Sequence, residues 1–190
     1  MEGTTMCGRY FITEETIRKA EELVKTIDLS LAGKREIFPS QKAPIITSHE
    51  EYATELCNWG FQRFDKKGLM INARAETALE RRMFRKSLLE RRCLIPAAGF
   101  YEWDREKNKI AFYKESSSII FMAGFYRTDK DGSRFVILTT QANQSVREIH
   151  ERMPIILEER DIEDWFSNET FEHLLHKEPE HLSHEVEAKN

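Results

Sequence analysis

The sequence predicts an α+β fold: one domain with a curved, mostly antiparallel, barrel-like sheet and helices outside it. Three observations carry this reading. From Cys93 to Leu157 the chain is a succession of short runs rich in β-branched and aromatic residues. Within that region the Asp-Gly pair of "DKDGSR" has the chemistry of a hairpin turn. Ahead of it, two stretches space their apolar residues at helical intervals. At 190 residues the chain is long enough to bury a core as a single domain without staples.

In chain order, "ITEETIRKAEELVKTI" places Ile17, Ala20, Leu23, Val24 and Ile27 on one helical face, with Thr13 as N-cap. "APIITS" and "ATELCNWGF" read as strands, with Pro44 suited to the start of the first. A second helix is expected over about Thr77 to Glu90, capped by the T-x-x-E box of Thr77 and Glu80 and striped by Leu79, Met83, Phe84 and Leu88. Strands follow at "CLIPAAGFYEW", "KIAFYKE", "SIIFMAGFYR", "RFVILTTQ" and "RMPIIL". Asn143 to Ile149 fits one or two helical turns ending at His150. From Asp161 on, short helix and acidic loop are expected.

An apolar share of 40% and a charged share of 33% describe a globular chain rather than a disordered one. No transmembrane or signal-peptide stretch is present, which gives a cytoplasmic expectation, nucleoid-associated if the source is bacterial, with no membrane partner. Three cysteines at 7, 57 and 93, without a C-x-x-C pair, fit a reducing compartment and not a disulfide framework. A net charge of −4 argues against a coat of positive charge, yet Arg74, Arg81, Arg82, Arg85, Lys86, Arg91 and Arg92 face only Glu76, Glu80 and Glu90 in their stretch. That run reads either as a solvated helix face or as a phosphate track.

Candidate chemistry begins at "MCGRYF", residues 6–11. If Met6 were a start methionine and were removed, Cys7 would carry a free amine beside its thiol, whereas within the chain its nitrogen is a planar amide. Such an aminothiol attacks an aldehyde through the amine and then closes on the imine through sulfur, forming a thiazolidine. The alternative is a small buried cysteine at a strand start. Asn72 and Arg74 of "INARAET" stand two apart and share a face if extended, as a site or as a polar strand end. Glu102 lies between Tyr101 and Trp103, either buried among aromatics, which raises a carboxyl pKa, or on the solvated side of its strand. His150 and Arg152 of "IHERMPIIL" are a further candidate pair, with a structural histidine as the alternative. "HLLH" and "HLSH" have i, i+3 spacing but no thiols nearby, and no metal is expected.

"MCGRYF", "NARAET", "RCLIPAAGFYEW" and "IHERMPIIL", in that order and spanning nearly the whole chain, resemble the SRAP family, the abasic-site processing proteins of bacteria and eukaryotes. "FPSQKAPII", "WGF" and "FVILTTQAN" add to the likeness. The resemblance implies a protein beginning at the cysteine that captures the ring-opened aldehyde of an abasic site in single-stranded DNA as a thiazolidine, shielding it from strand cleavage. It implies Cys7 as nucleophile, Asn72 as its orienting partner, Glu102 as acid/base and His150 in sugar-ring opening. Arg9, Arg74 and Arg152 would hold phosphates and Trp103 would line the pocket, with Pro39, Arg82 and Thr139 completing the DNA contacts. No cofactor is implied, and a monomer is expected. Residues 1–6 are then expected to be absent from the active form, as an upstream start that is not used, a remnant foreign to the protein or a leader removed by the protein itself, and 7–190 form the domain. The chain departs from the family's pattern after Trp59-Gly60-Phe61, where Gln62, Arg63 and Phe64 stand in place of an approach to proline. Two other readings compete: an N-terminal-nucleophile amidohydrolase of glutaminase type, in which the free amine is the base for its own thiol, and a non-catalytic single-strand binding module.

Overall fold

Continuous runs of apolar, β-branched and aromatic residues in the middle of the chain build a barrel of strands buried along most of their length. The computed structural model describes residues 8–24, 35–65 and 67–187. In chain order the strands and helices among them are β1 (Arg9–Ile12), α1 (Glu14–Leu23), β2 (Arg35–Ile37), β3 (Lys42–Ser48), β4 (Tyr52–Trp59), β5 (Phe61–Gln62), β6 (Leu69–Met70), β7 (Asn72–Arg74), α2 (Ala75–Ala78) and α3 (Arg82–Glu90). They continue with β8 (Arg92–Ala97), β9 (Gly99–Trp103), β10 (Lys109–Tyr113), β11 (Ile120–Asp129), β12 (Gly132–Gln141), β13 (Arg152–Pro154), β14 (Ile156–Leu157), α4 (Ile162–Phe166) and β15 (Ser183–Val186), with 3₁₀ turns at Glu159–Asp161 and Phe171–His176.

Strand β12 pairs with β4 in parallel, β4 with β3, β3 with β8, β8 with β11, and β11 again with β12, so these five strands form a closed ring. The expected curved, barrel-like and mostly antiparallel core is thus present. Closure removes the exposed edges an open sheet would leave. Strands β7 and β13 extend the ring along β12, and β14 along β11. A second, five-stranded sheet runs in the order β15-β10-β9-β1-β2. Trp59, Phe61, Phe125, Phe135, Ile45 and Met122 are fully buried in the common core.

Helix α1 forms as expected. Thr13 caps it, its Oγ1 accepting from the Thr16 N–H while the Thr16 Oγ1 accepts from that of Thr13, and Ile17, Ala20 and Val24 face the core. Ile27 lies outside the described residues. The hairpin also stands, with Asp129 opposite Gly132, whose φ of 105° suits glycine.

Four expectations are corrected. The single helix over Thr77 to Glu90 is two, and its capping box is absent: Thr77 lies inside α2, where its carbonyl accepts from the N–H groups of Glu80 and Arg81. The chain turns there so that Phe84 of α3 can pack against Phe61 and Phe125, and this aromatic contact outweighs a local cap. "CLIPAAGFYEW" is two strands in different sheets, β8 and β9, broken at Ala98. "ATELCNWGF" breaks at Gly60, whose φ is 107°. The tail, expected to be helix and loop, also contributes β15, which covers the edge of β10. Among the described residues no helix is long and apolar enough to cross a membrane.

Candidate functional site

Gly99 sets the first half of the site. A Cβ there would stand 2.2 Å from the Phe112 carbonyl oxygen and 2.8 Å from the ring of Phe11, so only glycine lets β9 lie this close between β10 and β1. In that position Arg9 of β1 is opposite Tyr101, and Glu102 is opposite Ile110 of β10. Because β1 and β9 are antiparallel, the N-terminal end of β1 runs beside the stretch of β9 that carries Glu102. Glu102 is 3% exposed, which excludes the solvated alternative. Cys7 lies outside the described residues.

Around Arg9 the side chains build a platform of rings and charge. Its guanidinium carbon is 4.4 Å from the centroid of Phe38 and 5.1 Å from that of Trp103, within the range of cation–π attraction. One nitrogen donates to Glu36 at 3.1 Å, and Lys109 donates to the other oxygen of Glu36 at 2.7 Å while lying over the ring of Tyr101. Pro39 sits beside this platform in the turn Phe38–Gln41, where Ser40 has a φ of 73° and its N–H donates to the Trp59 carbonyl. Proline followed by a positive φ is the pattern of a type II turn.

The second half is built on β7, β12 and β13. Arg74 is opposite Thr139 in the parallel β7–β12 pair. Asn72 is half-buried and Arg74 exposed, with Ala73 buried between them, as alternation in a strand requires. Arg152 is buried, and its two terminal nitrogens donate to the two oxygens of Glu76 at 2.6 and 2.8 Å, with a third bond at 2.7 Å to the Thr139 carbonyl. Its Nε is buried with no acceptor among the described residues. Thr139 itself is fully buried, its hydroxyl 3.4 Å from the Ala73 carbonyl. The Arg152 backbone N–H donates to His150 Nδ1 at 3.1 Å. With Nδ1 accepting, the hydrogen of the neutral imidazole sits on Nε2, which becomes the outward donor. The Arg152 hydrogen bonds hold the Glu76 carboxyl below its ordinary pKa, with the charges of Arg152 and Arg74 adding to the effect against the cost of burial.

Trp59 joins the halves. Its ring meets Tyr10 of β1 edge-on at 5.2 Å, and its Nε1 donates at 3.0 Å to the carbonyl of Ile71, the residue before Asn72. Arg9 and Trp103 therefore share one face of the second sheet, with Pro39 in the turn beside them, Glu102 lies on the opposite face of β9, and Arg74, Thr139, His150 and Arg152 gather on the barrel. Arg82 stands apart, exposed on the first turn of α3. Cys57 and Cys93 are fully buried core thiols, as expected. Of the tail histidines, His184 lies against the ring of Phe112 and His173 contacts the Thr170 carbonyl. Among the described residues no group of three or more His, Cys, Asp or Glu could hold a metal ion.

Sequence reasoning missed Glu36, Phe38 and Glu76. Phe38 and Glu36 had no signal beyond their nearness to Pro39. For Glu76 a signal existed: an arginine inside the apolar run "RMPIIL" requires a carboxylate partner, and Glu76 is the acid of "NARAET".

A protein-family model described as SOS response associated peptidase (SRAP) matches residues 6–189. The chain is 34% identical over 182 residues to the abasic site processing protein YoqW of Bacillus subtilis, covering 85% of this chain and 80% of that one. It is 39% identical over 185 residues to the abasic site processing protein YoaM of the same organism, covering 85% and 79%. A crystal structure of a protein from Bacteroides thetaiotaomicron superimposes with a TM-score of 0.81 at 27% identity, covering 95% of this chain and 91% of that one.

Proposed function

The chain belongs to the SOS response associated peptidase (SRAP) family, and from that premise we propose that it processes abasic sites by covalent capture in single-stranded DNA. Residues 1–6 are removed, by the protein itself or otherwise, leaving Cys7 with a free amine. The amine adds to the C1′ aldehyde of the ring-opened deoxyribose, and the carbinolamine loses one water to give a Schiff base. The Cys7 sulfur then adds to the imine carbon as its proton passes to the nitrogen, closing a thiazolidine. A Schiff base left open would favour β-elimination and strand cleavage, and ring closure through sulfur removes that route.

In this reading Glu102 shuttles the protons of dehydration and of its reversal, Asn72 orients the amine, and the Nε2–H of His150 assists opening of the closed sugar. Arg9, Arg74 and Arg82 contact phosphates, and Trp103 and Pro39 contact the strand beside the lesion. Thr139, buried, and Arg152, committed to Glu76, hold the wall behind Arg74. The observation that carries the proposal is the burial of Glu102 on β9 beside the N-terminal end of β1. A carboxyl is placed there, out of water, where a group at the chain's start would need a proton carrier.

The test incubates protein whose intact mass shows Cys7 as the first residue with a single-stranded oligonucleotide bearing one abasic site. A product of protein-plus-DNA mass less one water is expected, absent with Cys7→Ala. No covalent product from wild type, or release of ammonia from glutamine in its place, would overturn the reading.

A further inference from the structure

Beside His150 lies a cavity of about 460 Å³ lined by Arg74, Gln141, Ala142, Arg147, Glu151 and Arg152. Its three arginines differ in what they have already bound. Arg152 is committed to Glu76 and Thr139. Arg74 and Arg147 are exposed, and among the described residues neither makes an ion pair, although cations elsewhere do, such as Arg18 with Glu14, Arg63 with Asp65 and Arg127 with Asp129. Glu151 is the one carboxylate of the lining and Glu76 lies within reach of the charge of Arg74, so three arginines leave this cavity with an excess of positive charge in a chain of net charge −4.

The turn that presents Arg147 is held from several sides. The buried side chain of Asn143 donates to the carbonyls of Pro179 and Glu180 at 2.8 and 2.9 Å and accepts from the N–H and hydroxyl of Ser145. The Arg147 N–H returns to the Asn143 carbonyl at 3.0 Å, and the Leu182 N–H ties the C-terminal tail to Ser145. Arg147 therefore leaves a fixed piece of backbone, and only the ordering of its own side chain remains to be lost when it meets a ligand.

We infer that this cavity is a phosphodiester subsite, with Arg74 and Arg147 as its two contacts and Arg152, held by Glu76, as its wall. Arg147 is thus a strand-binding residue in its own right. The guanidinium fork matches phosphate oxygens, and Gln141 at the rim offers an amide donor. The inference rests on the proposed binding of single-stranded DNA and adds the residue through which the strand is held on the His150 side.

The test measures affinity for an undamaged single-stranded oligonucleotide as a function of salt, so that no covalent step enters. Each phosphate neutralised on a single strand adds about 0.7 to the slope of log K against log salt. Arg147→Ala should bind several-fold more weakly at low salt with a slope shallower by about 0.7, and Arg147→Lys should keep the slope, which separates loss of charge from loss of fold. Arg18→Ala, on α1 and outside the cavity, should match wild type. An Arg147→Ala slope equal to that of wild type would overturn the subsite while leaving covalent capture standing. Failure of wild-type protein to bind the strand at all would overturn both.

Discussion

Arg152 is the residue on which the barrel half of the site turns, because its backbone fixes the tautomer of His150 while its side chain spends its terminal donors on Glu76 and Thr139. The Glu76 carboxyl has a lowered pKa. A carboxylate held low in the folded state contributes stability that is fully present above its unfolded value, about 4.3, and is lost as pH falls through the folded value. Glu76→Gln should therefore cost about 1 kcal/mol at pH 7, less than a fully buried pair because the Glu76 side chain is 37% exposed. The gap to wild type should close as pH falls below about 4. Urea denaturation at the two pH values measures it, and a constant gap would show that the charge of Glu76 contributes nothing. The thiols give a second expectation. Burial first, and Glu55 next, push Cys57 up to about 12, and burial raises Cys93 well above its ordinary value. Cys57 and Cys93 should therefore resist an aromatic disulfide at pH 8 in native protein and react after unfolding. Fast reaction of either in the native chain would contradict the burial of this core.

Between elements, Arg92 does for α3 and α4 what no cap does. Its Nε donates to the Trp165 carbonyl at 2.6 Å, one terminal nitrogen to Leu88 and Leu89 at 2.9 Å each, and the other to Phe166 at 3.0 Å and Asn168 at 2.7 Å, with Phe171 4.1 Å beneath. All five donors of the guanidinium are used, and they satisfy the orphan carbonyls at the ends of two helices at once. No carboxylate takes part, and burial alone pulls Arg92 down to about 10. Arg92→Lys keeps the charge but cannot span these acceptors, and should lower stability by about 2–4 kcal/mol, read as a fall in melting temperature of about 5–15 °C. A change within about 0.5 kcal/mol would show that water replaces the lost bonds. The sequence displayed Thr13, the Asp-Gly turn and the barrel strands because each follows from local chemistry: a cap, a dihedral preference, a run of β-branched and aromatic residues. It hid the break at Leu79 to Arg81 and the strand β15. The first is decided by Phe84 reaching Phe61 and Phe125, and the second by the free edge of β10, and neither partner is near in sequence.

Across the whole molecule, the site is assembled from two sheets that share no strand, and its geometry depends on how they are held together. Asn72, Glu102 and His150 could be singled out in the sequence because each is a polar residue set in or beside an apolar run. The resemblance implied that they act together, but not what joins their two sheets, a tryptophan noted there only within a strand and in the Trp59-Gly60-Phe61 motif. Trp59 touches both sides: its ring packs on Tyr10 of β1 and stacks at 6.3 Å on Phe135 of β12, and its Nε1 holds the Ile71 carbonyl next to Asn72. Trp59→Phe keeps an aromatic body in the core but removes that donor. The Ile71 carbonyl keeps its bond from the Ile137 N–H at 3.1 Å, so the change costs about 0.5–1.5 kcal/mol and loosens the tie between β7 and β1. The arginines proposed to bind the strand, Arg9, Arg74, Arg82 and Arg147, are untouched, so affinity for undamaged single-stranded DNA should change by less than about twofold, within the surface-substitution range. The proposed covalent step requires Asn72 and Glu102 to address the same atoms, and a displacement of about 1 Å can cost on the order of 10²-fold in rate. Capture at saturating protein should therefore slow by about tenfold or more while binding holds. An unchanged first-order capture rate would show that the two sheets are aligned without this hydrogen bond, and parallel losses of rate and affinity would show that Trp59 supports the fold as a whole and not the alignment of the site.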